Sequence, residues 1–337
     1  YSGSTGTGTI KDDNINFTPD FVWVKDRGGT EPHALYDTVR GAAGNGNFYR
    51  LSSNTTNGNN SPTNELTSMI RGGFTANNNG HIYYNGKYYV SWMWKAGGSK
   101  NTFNIDDVGY ASAAAAGLDG GNINPTGCSI GTQQGFSILK YAGNQGTGQT
   151  LNHGLGEIPD FVICKNLGTS YNWFIWHESF GNGADAAIYF TNAAKSTGYN
   201  TQPFGTFTTS SLAFNNNDGV NGNYNYICYA WKNVPGLQKF GSYSGNSNAD
   251  GSFVELGFRP ALLWLKRTDS TGNWVILDTR RNPSNPVTIS AYADSNSDAN
   301  YDPGQDWADI LSNGFKLRAT YGEVNVGSYI YCAWAEA

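Results

Sequence analysis

Short apolar runs, rather than long amphipathic stretches, dominate the hydrophobic pattern of the chain. The runs FVWVK (21–25), FVICK (161–165) and LLWLK (262–266) are apolar up to the lysine and do not alternate. Such runs, bounded by Pro and Gly, predict strands that are covered on both faces. By contrast, YIYCAW (329–334) alternates between two sets of side chains, as expected of a strand with two different faces. The pattern therefore predicts an all-β protein.

The same elements recur three times in the same order. Each apolar run follows a proline, at Pro19, Pro159 and Pro260, and a closing aromatic strand reaches its tryptophan 75, 72 and 74 residues later. Self-similarity at a fixed period identifies structural repeats. We therefore predict three tandem β-sandwiches of a jelly-roll or lectin-like type, over residues 1–98, 136–232 and 237–337.

Residues 99–135 do not repeat, and we predict that they form a short, partly helical linker. Within it, ASAAAAGL (111–118) predicts a short helix that stops near Gly117, and DWADIL (306–311) predicts a single helical turn in the third copy. The second and third copies begin with an opening strand, whereas the first starts directly at Tyr1. We therefore expect the chain to be a fragment or processed product whose first sandwich lacks its opening strand.

Composition narrows the classes of function. The chain has 44 Gly, and aromatic residues make up 14% of it, which suits strands joined by many turns. A formal net charge of −5 argues against a nucleic-acid partner, because nucleic-acid binding requires a basic face. No apolar run approaches the roughly 18 residues of a membrane span. We predict neither a nucleic-acid nor a membrane partner.

Three of the four cysteines, Cys164, Cys228 and Cys332, lie in predicted strands. A disulfide between Cys164 and Cys228 is compatible with neighbouring strands. The alternative, which we prefer, is that these residues are buried free cysteines that act as small apolar side chains.

The sequence offers no recognisable catalytic motif. It contains no His-Glu-x-x-His zinc motif, no Gly-x-Ser-x-Gly elbow and no strand-spaced Glu pair of the kind that glycanases use. We predict that the protein is not an enzyme and requires no cofactor, with calcium as the one exception to consider. Asp294, Asp298 and Asp302 lie in an Asp-rich loop and are either candidate calcium ligands or residues of a solvated turn.

Candidate ligand contacts lie in loops, where binding groups usually sit on a rigid β-scaffold. The loops 166–173 and 267–274 differ in chemistry and carry neutral polar groups that suit sugar hydroxyls. The candidates are Asn166, Tyr171, Asn172, Asp269, Thr271 and Asn273. His33, Trp173 and Trp274 share one position, 14 residues after each proline, and are either sugar-stacking rings or rings that pack at the start of a strand.

Several longer motifs carry a resemblance to a known family. These are PDFVWVK, ALYDTVRG, LSSNTTNG, NELTSMIRGGFT, GFSILKYAGNQGTGQTLNHGLGEIPDFVICKN, LSNGFKL and GSYIYCAWAE. Together they resemble a repeat block of tail-fibre and other virion structural proteins of tailed phages, many of them marine or cyanobacterial. The resemblance covers essentially the whole chain and implies a lectin-like β-sandwich on a virion appendage, often trimeric, with no catalytic motif. Cys332 and Trp334 depart from the Met and Phe of that pattern but remain apolar.

The resemblance therefore implies a virion structural protein, either a tail-fibre or spike component or a capsid-decorating protein, and we expect it to adhere to a host-surface glycan. It would lie on the exposed virion surface or the tail appendage, and hence be extracellular. Its partners would be further copies of itself in a homo-oligomer, expected to be a trimer, together with other virion proteins and the host glycan. The alternatives are a tailspike-type glycanase and a secreted cellular lectin or adhesin.

Overall fold

The computed structural model describes residues 1–300, 304 and 306–336. Nearly every regular element in these ranges is a β-strand, which confirms the all-β prediction. No helix among them is long and apolar enough to cross a membrane. We call residues 1–98 the first segment, 136–232 the second and 237–336 the third. The strands of the first segment are β1 Thr7–Lys11, β2 Phe21–Asp26, β3 Ala34–Asp37, β4 Leu66–Ile70, β5 Gly73–Asn77 and β6 Tyr89–Trp94.

The remaining strands are distributed over residues 99–135 and the other two segments. Residues 99–135 contain β7 Phe103–Ile105, β8 Val108–Tyr110 and β9 Pro125–Gly131. The second segment contains β10 Phe136–Ala142, β11 Gln149–Asn152, β12 Phe161–Asn166, β13 Phe174–His177, a 3-10 helix at Glu178–Phe180, β14 Ala186–Ala187, β15 Ser196–Thr197, β16 Ser211–Phe214 and β17 Asn225–Trp231. The third contains β18 Gln238–Ser244, β19 Phe253–Glu255, β20 Pro260–Arg267, β21 Val275–Asp278, β22 Ala291–Tyr292, β23 Ala308–Leu311, β24 Gly314–Leu317 and β25 Ser328–Ala335.

Three sheets share one strand order around the apolar runs seen in the sequence. The run lies between the closing strand and the strand that follows the run, as β6-β2-β3, β17-β12-β13 and β25-β20-β21. The registers also correspond, because Trp23 opposes Trp92 in the first sheet and Trp264 opposes Cys332 in the third. We call β2, β12 and β20 the core strands. The division of the chain into three separate sandwich domains remains a prediction.

Each core strand is apolar up to its lysine because it is covered on both faces. In the first segment Val22 and Val24 pack with Phe74 of the small sheet β1-β5-β4. In the third segment Leu263 and Leu265 pack in the same way with Phe315 of the small sheet β19-β24-β23. The alternate residues of both strands, including Trp23 and Trp264, point the other way. A strand between two apolar layers cannot show the polar alternation of a half-exposed strand.

The inward faces of the three sheets meet in one shared aromatic cluster. Trp23 of the first segment lies 4.9 Å from Trp264 of the third, measured between ring centroids. The ring centroid of Trp334 lies 5.6 Å from that of Trp94 in the first segment and 6.3 Å from that of Trp231 in the second segment. Edge-to-face pairs of this kind add roughly 0.5–1.5 kcal/mol each to the free energy of area burial. The three segments are therefore packed around a common core.

Two helix predictions are wrong, and residues 99–135, predicted as a partly helical linker, contain three strands. Residues 111–118 form consecutive turns, with Leu118 N donating to Ala113 O at 2.8 Å, and Gly117 at φ +69 ends them. A helical turn was predicted at 306–311. Instead, the buried Trp307 precedes strand β23, which pairs with β24. Strands β7 and β9 of the supposed linker join the sheet of the second segment through β10.

The structure has the cysteines as free thiols, the preferred of the two alternatives. Cys164 and Cys228 lie directly opposite each other on β12 and β17, with 3.1 Å between their Sγ atoms. Both are buried and free. They fill the space between two core layers as small apolar side chains do.

Candidate functional site

Each segment has one buried ring at an equivalent position, immediately before the strand that follows the core strand. His33, Trp173 and Trp274 are 0%, 2% and 1% exposed, so packing rather than an open stacking face describes them. The polar edge of each ring reaches a backbone carbonyl of another segment. His33 Nε2 lies 2.9 Å from Tyr292 O, Trp173 Nε1 donates to Ser52 O at 3.1 Å, and Trp274 Nε1 donates to Tyr189 O at 2.6 Å.

These three bonds close a ring in which every segment holds the next. Trp23 Nε1 donates to His33 Nδ1 at 2.8 Å, so the proton of His33 lies on Nε2 and points at the third segment. Two of the acceptors occupy matching places. Ser52 follows Leu51, which pairs with β3, and Tyr189 follows Ile188, which pairs with β13. The loops that follow these acceptors therefore converge.

A polar cavity of about 370 Å³ lies where the three loops converge. This volume is at the lower end of the range of small-molecule sites. We call it the axial cavity, because all three segments contribute to its wall. Its lining residues are Ser53, Asn54, Thr55 and Thr56 of the first segment, Asn172, Trp173, Phe190, Thr191 and Asn192 of the second, and Asn273, Asp294 and Ser295 of the third.

Neutral hydrogen-bonding groups dominate the wall of the axial cavity. Within the described residues, the side-chain amides of Asn172 and Asn192 make no hydrogen bond to the protein, so both remain available to a ligand. Asn54 accepts from His33 N at 3.1 Å through Oδ1, which leaves its NH₂ group to donate. Asn273 donates from Nδ2 to Glu323 at 3.1 Å, which leaves its Oδ1 to accept. The cavity thus offers both donors and acceptors.

Aromatic rings form the apolar part of the same wall. Trp173 and Phe190 pack edge to face with centroids 5.7 Å apart, and both are buried at the base of the cavity. Lys165 Nζ lies 6.0 Å from the centroid of the Trp173 ring. The rings are fixed by packing, so they give the cavity a rigid floor.

Asp294 provides the carboxylate of the cavity. Its Oδ1 accepts from Trp274 N at 2.8 Å, so it holds the start of β21 in place, as Asn54 does for His33. Burial raises the pKa of Asp294, while the Trp274 amide and the nearby Lys266 act in the opposite direction. Its first task is therefore structural, and its second oxygen is the group that can accept from a ligand.

The predicted ligand residues divide into two groups. Asn172 and Asn273 line the axial cavity, as the loop hypothesis requires. The other four do not: Asn166 is fully buried and its Oδ1 accepts from Gly168 N at 2.9 Å. Tyr171 donates to Asp218 at 3.2 Å, Asp269 accepts from Arg267 at 2.8 Å, and Thr271 is exposed at its loop tip.

The calcium candidates do not form a cluster in the described part of the chain. Asp294 holds Trp274 N as above, and Asp298 accepts from Asn300 N at 3.1 Å in a local turn. Asp302 lies outside the described residues. Among residues 1–300, 304 and 306–336, no group of three His, Cys, Asp or Glu side chains is close enough to hold a metal ion.

Sequence reasoning missed Asn54, Thr191 and Asn192, which lie far from the predicted loops. Asn54 follows Leu51, which forms an isolated bridge to β3, and Thr191 and Asn192 follow Ile188, which forms one to β13. Their positions, 35, 32 and 33 residues after Pro19 or Pro159, are nearly equivalent. Alignment of the copies beyond the core strand would have pointed to this second loop.

Comparison with known proteins gives a family but no described function. No curated protein and no solved structure matches the chain. A family model described as a domain of unknown function, DUF7483, matches residues 1–337. The chain therefore belongs to the DUF7483 family.

Proposed function

We propose that the protein is a non-catalytic component of a virion appendage that binds a neutral glycan of the host surface in the axial cavity. The observation that carries the glycan part is the wall of the cavity, where unpaired Asn172 and Asn192 amides lie beside the rings of Trp173 and Phe190. Sugars present many hydroxyl groups, which pair with neutral donors and acceptors of this kind. The virion part rests on the sequence resemblance to tail-fibre proteins.

Weak binding at a single cavity is compatible with this role. A few neutral hydrogen bonds, each contributing about 0.5–1.5 kcal/mol net, give low affinity for one site. Repetition of the site in a homo-oligomer, as the resemblance implies for a trimer, raises the apparent affinity for a glycan-coated surface. Attachment of the oligomer to other virion proteins would fix the cavities at the exposed end of the appendage.

The first prediction tests the cavity directly. The protein, immobilised on multivalent beads, is screened against an array of neutral and acidic oligosaccharides, and the strongest binder is titrated against soluble protein. Asn172→Ala and Asn192→Ala should each weaken that binding at least three- to tenfold, because each removes a hydrogen-bonding amide from the wall. Thr271→Ala is the matched control, since Thr271 is an exposed loop residue outside the cavity, and it should bind as the parent does.

Equal affinity of the folded Asn172→Ala and Asn192→Ala variants and the parent would remove the axial cavity as the binding site. Loss of binding in Thr271→Ala instead would place the site at the loop tips. Shortening of the bound oligosaccharide during the titration would favour the glycanase alternative.

A further inference from the structure

The first of the three related sheets is one strand short. In the second and third sheets the closing strand lies between two neighbours, as β10-β17-β12 and β18-β25-β20. In the first sheet, β6 has β2 on one side and, among the residues that the structure describes, no strand on the other. An unpaired strand edge presents a row of backbone donors and acceptors that can accept a further strand.

Tyr1 already sets the register for such a strand. Tyr1 N donates to Tyr89 O at 3.0 Å, and Tyr89 N donates to Tyr1 O at 2.8 Å, which is a hydrogen-bonded antiparallel pair. The rings of Tyr1 and Tyr89 stack at 5.3 Å. The same corner is formed at 5.2 Å by Tyr141 and Tyr226 in the second sheet.

The alternating pattern of antiparallel pairing then identifies the free backbone groups. Because the backbone N–H and C=O of Tyr89 point to the edge occupied by Tyr1, those of Ser91 and Met93, two and four residues further along β6, point to the same edge. Their counterparts in the second sheet, Cys228 and Ala230, face Leu139 and Ser137 of β10. Cys228 and Ala230 are fully buried, whereas Ser91 and Met93 are partly exposed.

An apolar groove of about 400 Å³ runs beside this edge. Its walls include Met93 and Trp94 of β6, Phe17, and Leu262 and Trp334 of the third segment. A second concavity continues it past Val90 and Ser91 to Tyr1. The open edge and the apolar groove are therefore one continuous surface, which a strand could cover along its whole length.

The opening strands of the other two sheets show what belongs in such a groove. Phe136 of β10 stacks on Trp231 at 4.4 Å and reaches Phe21 of the first segment at 6.3 Å. Phe240 of β18 lies 5.6 Å from Trp334 and stacks at 5.5 Å on Phe161 of the second segment. Each opening strand thus places an aromatic ring against the core strand of another segment. The residue of β20 that is equivalent to Phe21 and Phe161 is Leu262, which lines the groove. A strand at the open edge of β6 would contact it in the same way.

We propose that the β6 edge is an acceptor site for one extended strand of five residues, antiparallel to β6, whose last residue abuts Tyr1. Its residues opposite Trp92 and Trp94 are apolar or aromatic and fill the groove against Leu262 and Trp334. Its backbone bonds with Ser91 and Met93, as in β-augmentation of a sheet edge. This site goes beyond the proposed glycan function and uses the opposite end of the core strands.

The experiment supplies the strand and measures the edge. One variant carries the sequence Phe-Ser-Ile-Leu-Lys of residues 136–140 fused directly ahead of Tyr1, and the control carries Gly-Ser-Gly-Ser-Lys at the same place. Hydrogen exchange should slow at least 100-fold at the Ser91 and Met93 amides in the first variant relative to the control. The midpoint of thermal unfolding should also rise by several degrees in that variant only.

Two results would overturn the proposal. One is equal exchange of the Ser91 and Met93 amides in the apolar and Gly-Ser variants. The other is a parent protein that is already dimeric, with both amides protected, because a second copy would then cover the edge in place of the extended strand.

Discussion

Three lysines show how the protein uses buried charge at single positions. Lys25, Lys165 and Lys266 are the penultimate residues of the three core strands and are all 0% exposed. Lys165 Nζ is the fullest case, because it donates at 2.9–3.0 Å to three loop carbonyls, those of Thr56, Asn166 and Tyr171. Burial lowers the pKa of Lys165 to about 7 and those of Lys25 and Lys266 to about 8. The lysines satisfy carbonyls that would otherwise be buried without a donor.

Buried histidines give the second prediction, on the acid side of the stability profile. Burial lowers the pKa of His153 to about 4, and Leu155 N donates to its Nδ1 at 3.1 Å, so the native ring is neutral. Between about pH 6.5 and 4 the unfolded chain binds a proton at this residue that the folded chain does not. The free energy of unfolding therefore falls with decreasing pH, by roughly 1.4 kcal/mol per pH unit for this group.

Replacement of the ring isolates that contribution. His153→Asn keeps a hydrogen-bond acceptor but removes the titration, so urea unfolding at several pH values should show a slope reduced by about 1.4 kcal/mol per pH unit. Thr271→Ala serves as the control, because Thr271 is exposed and carries no titrating group, so its slope should match that of the parent. A parent-like slope in His153→Asn would show that the native ring titrates normally.

At the scale of elements, the ends of β3 and β21 join neighbouring sheets through buried ion pairs. Asp37 ends β3 and accepts from Arg40 Nε at 2.5 Å, and both side chains are fully buried. Tyr229 of the second segment donates to the same carboxylate at 2.7 Å. Asp278 repeats the arrangement at the end of β21, with Arg281 at 2.5 Å and Trp92 of the first segment at 3.2 Å.

The third prediction follows from the cost of leaving such a charge alone. Arg40→Met removes the guanidinium and leaves the Asp37 carboxylate buried with only neutral donors, which typically costs 3–5 kcal/mol. Guanidinium unfolding should show a loss of that order. Glu157→Gln is the control, since Glu157 meets Lys232 at the exposed surface and its loss should cost at most about 1 kcal/mol. Similar small losses in both variants would mean that the buried pair is not a net stabiliser.

The elements that the sequence predicted correctly are those whose signal is local. The core strands were identifiable because four successive apolar residues before the lysine in each copy indicate two-sided burial. The helix predicted at 111–118 does not form, because a run of small residues lacks an apolar face to pack, and short helices are unstable without one. At 306–311 the pairing of β23 with β24 overrode the local pattern.

Much of the candidate site could not be predicted, because it depends on contacts between distant parts of the chain. Asn172 and Asn273 were accessible to sequence reasoning as neutral loop residues next to a repeated ring. Asn54 and Asn192 reach the same cavity only because the three sheets close around a common axis. No single copy carries that information, and no sequence pattern states which loops of different copies meet.

On the scale of the whole molecule, the backbone itself repeats the closed order of contacts. Asn59 N donates to Leu167 O at 3.0 Å, from the first segment to the second. Lys195 N donates to Thr268 O at 3.0 Å, from the second to the third, and Ala299 N donates to Asp26 O at 3.2 Å, from the third back to the first. Together with the shared aromatic cluster, these bonds make every segment dependent on both others.

The last prediction is that the protein unfolds as one cooperative unit despite its threefold internal organisation. Three independent sandwiches would each melt alone, whereas segments that share Trp23, Trp264 and Trp334 in one cluster lose that core together. At roughly 0.7 kcal/mol per residue near 60 °C, one unit of 337 residues has an unfolding enthalpy of about 240 kcal/mol, and a third of the chain has about 80. Calorimetry should therefore give a single transition whose van't Hoff enthalpy approaches the larger value. Trp264→Ala should shift that whole transition to lower temperature, because it removes a ring that contacts the first and second segments as well as its own. A van't Hoff enthalpy near 80 kcal/mol, or a shift confined to one of several transitions, would instead establish three separate domains.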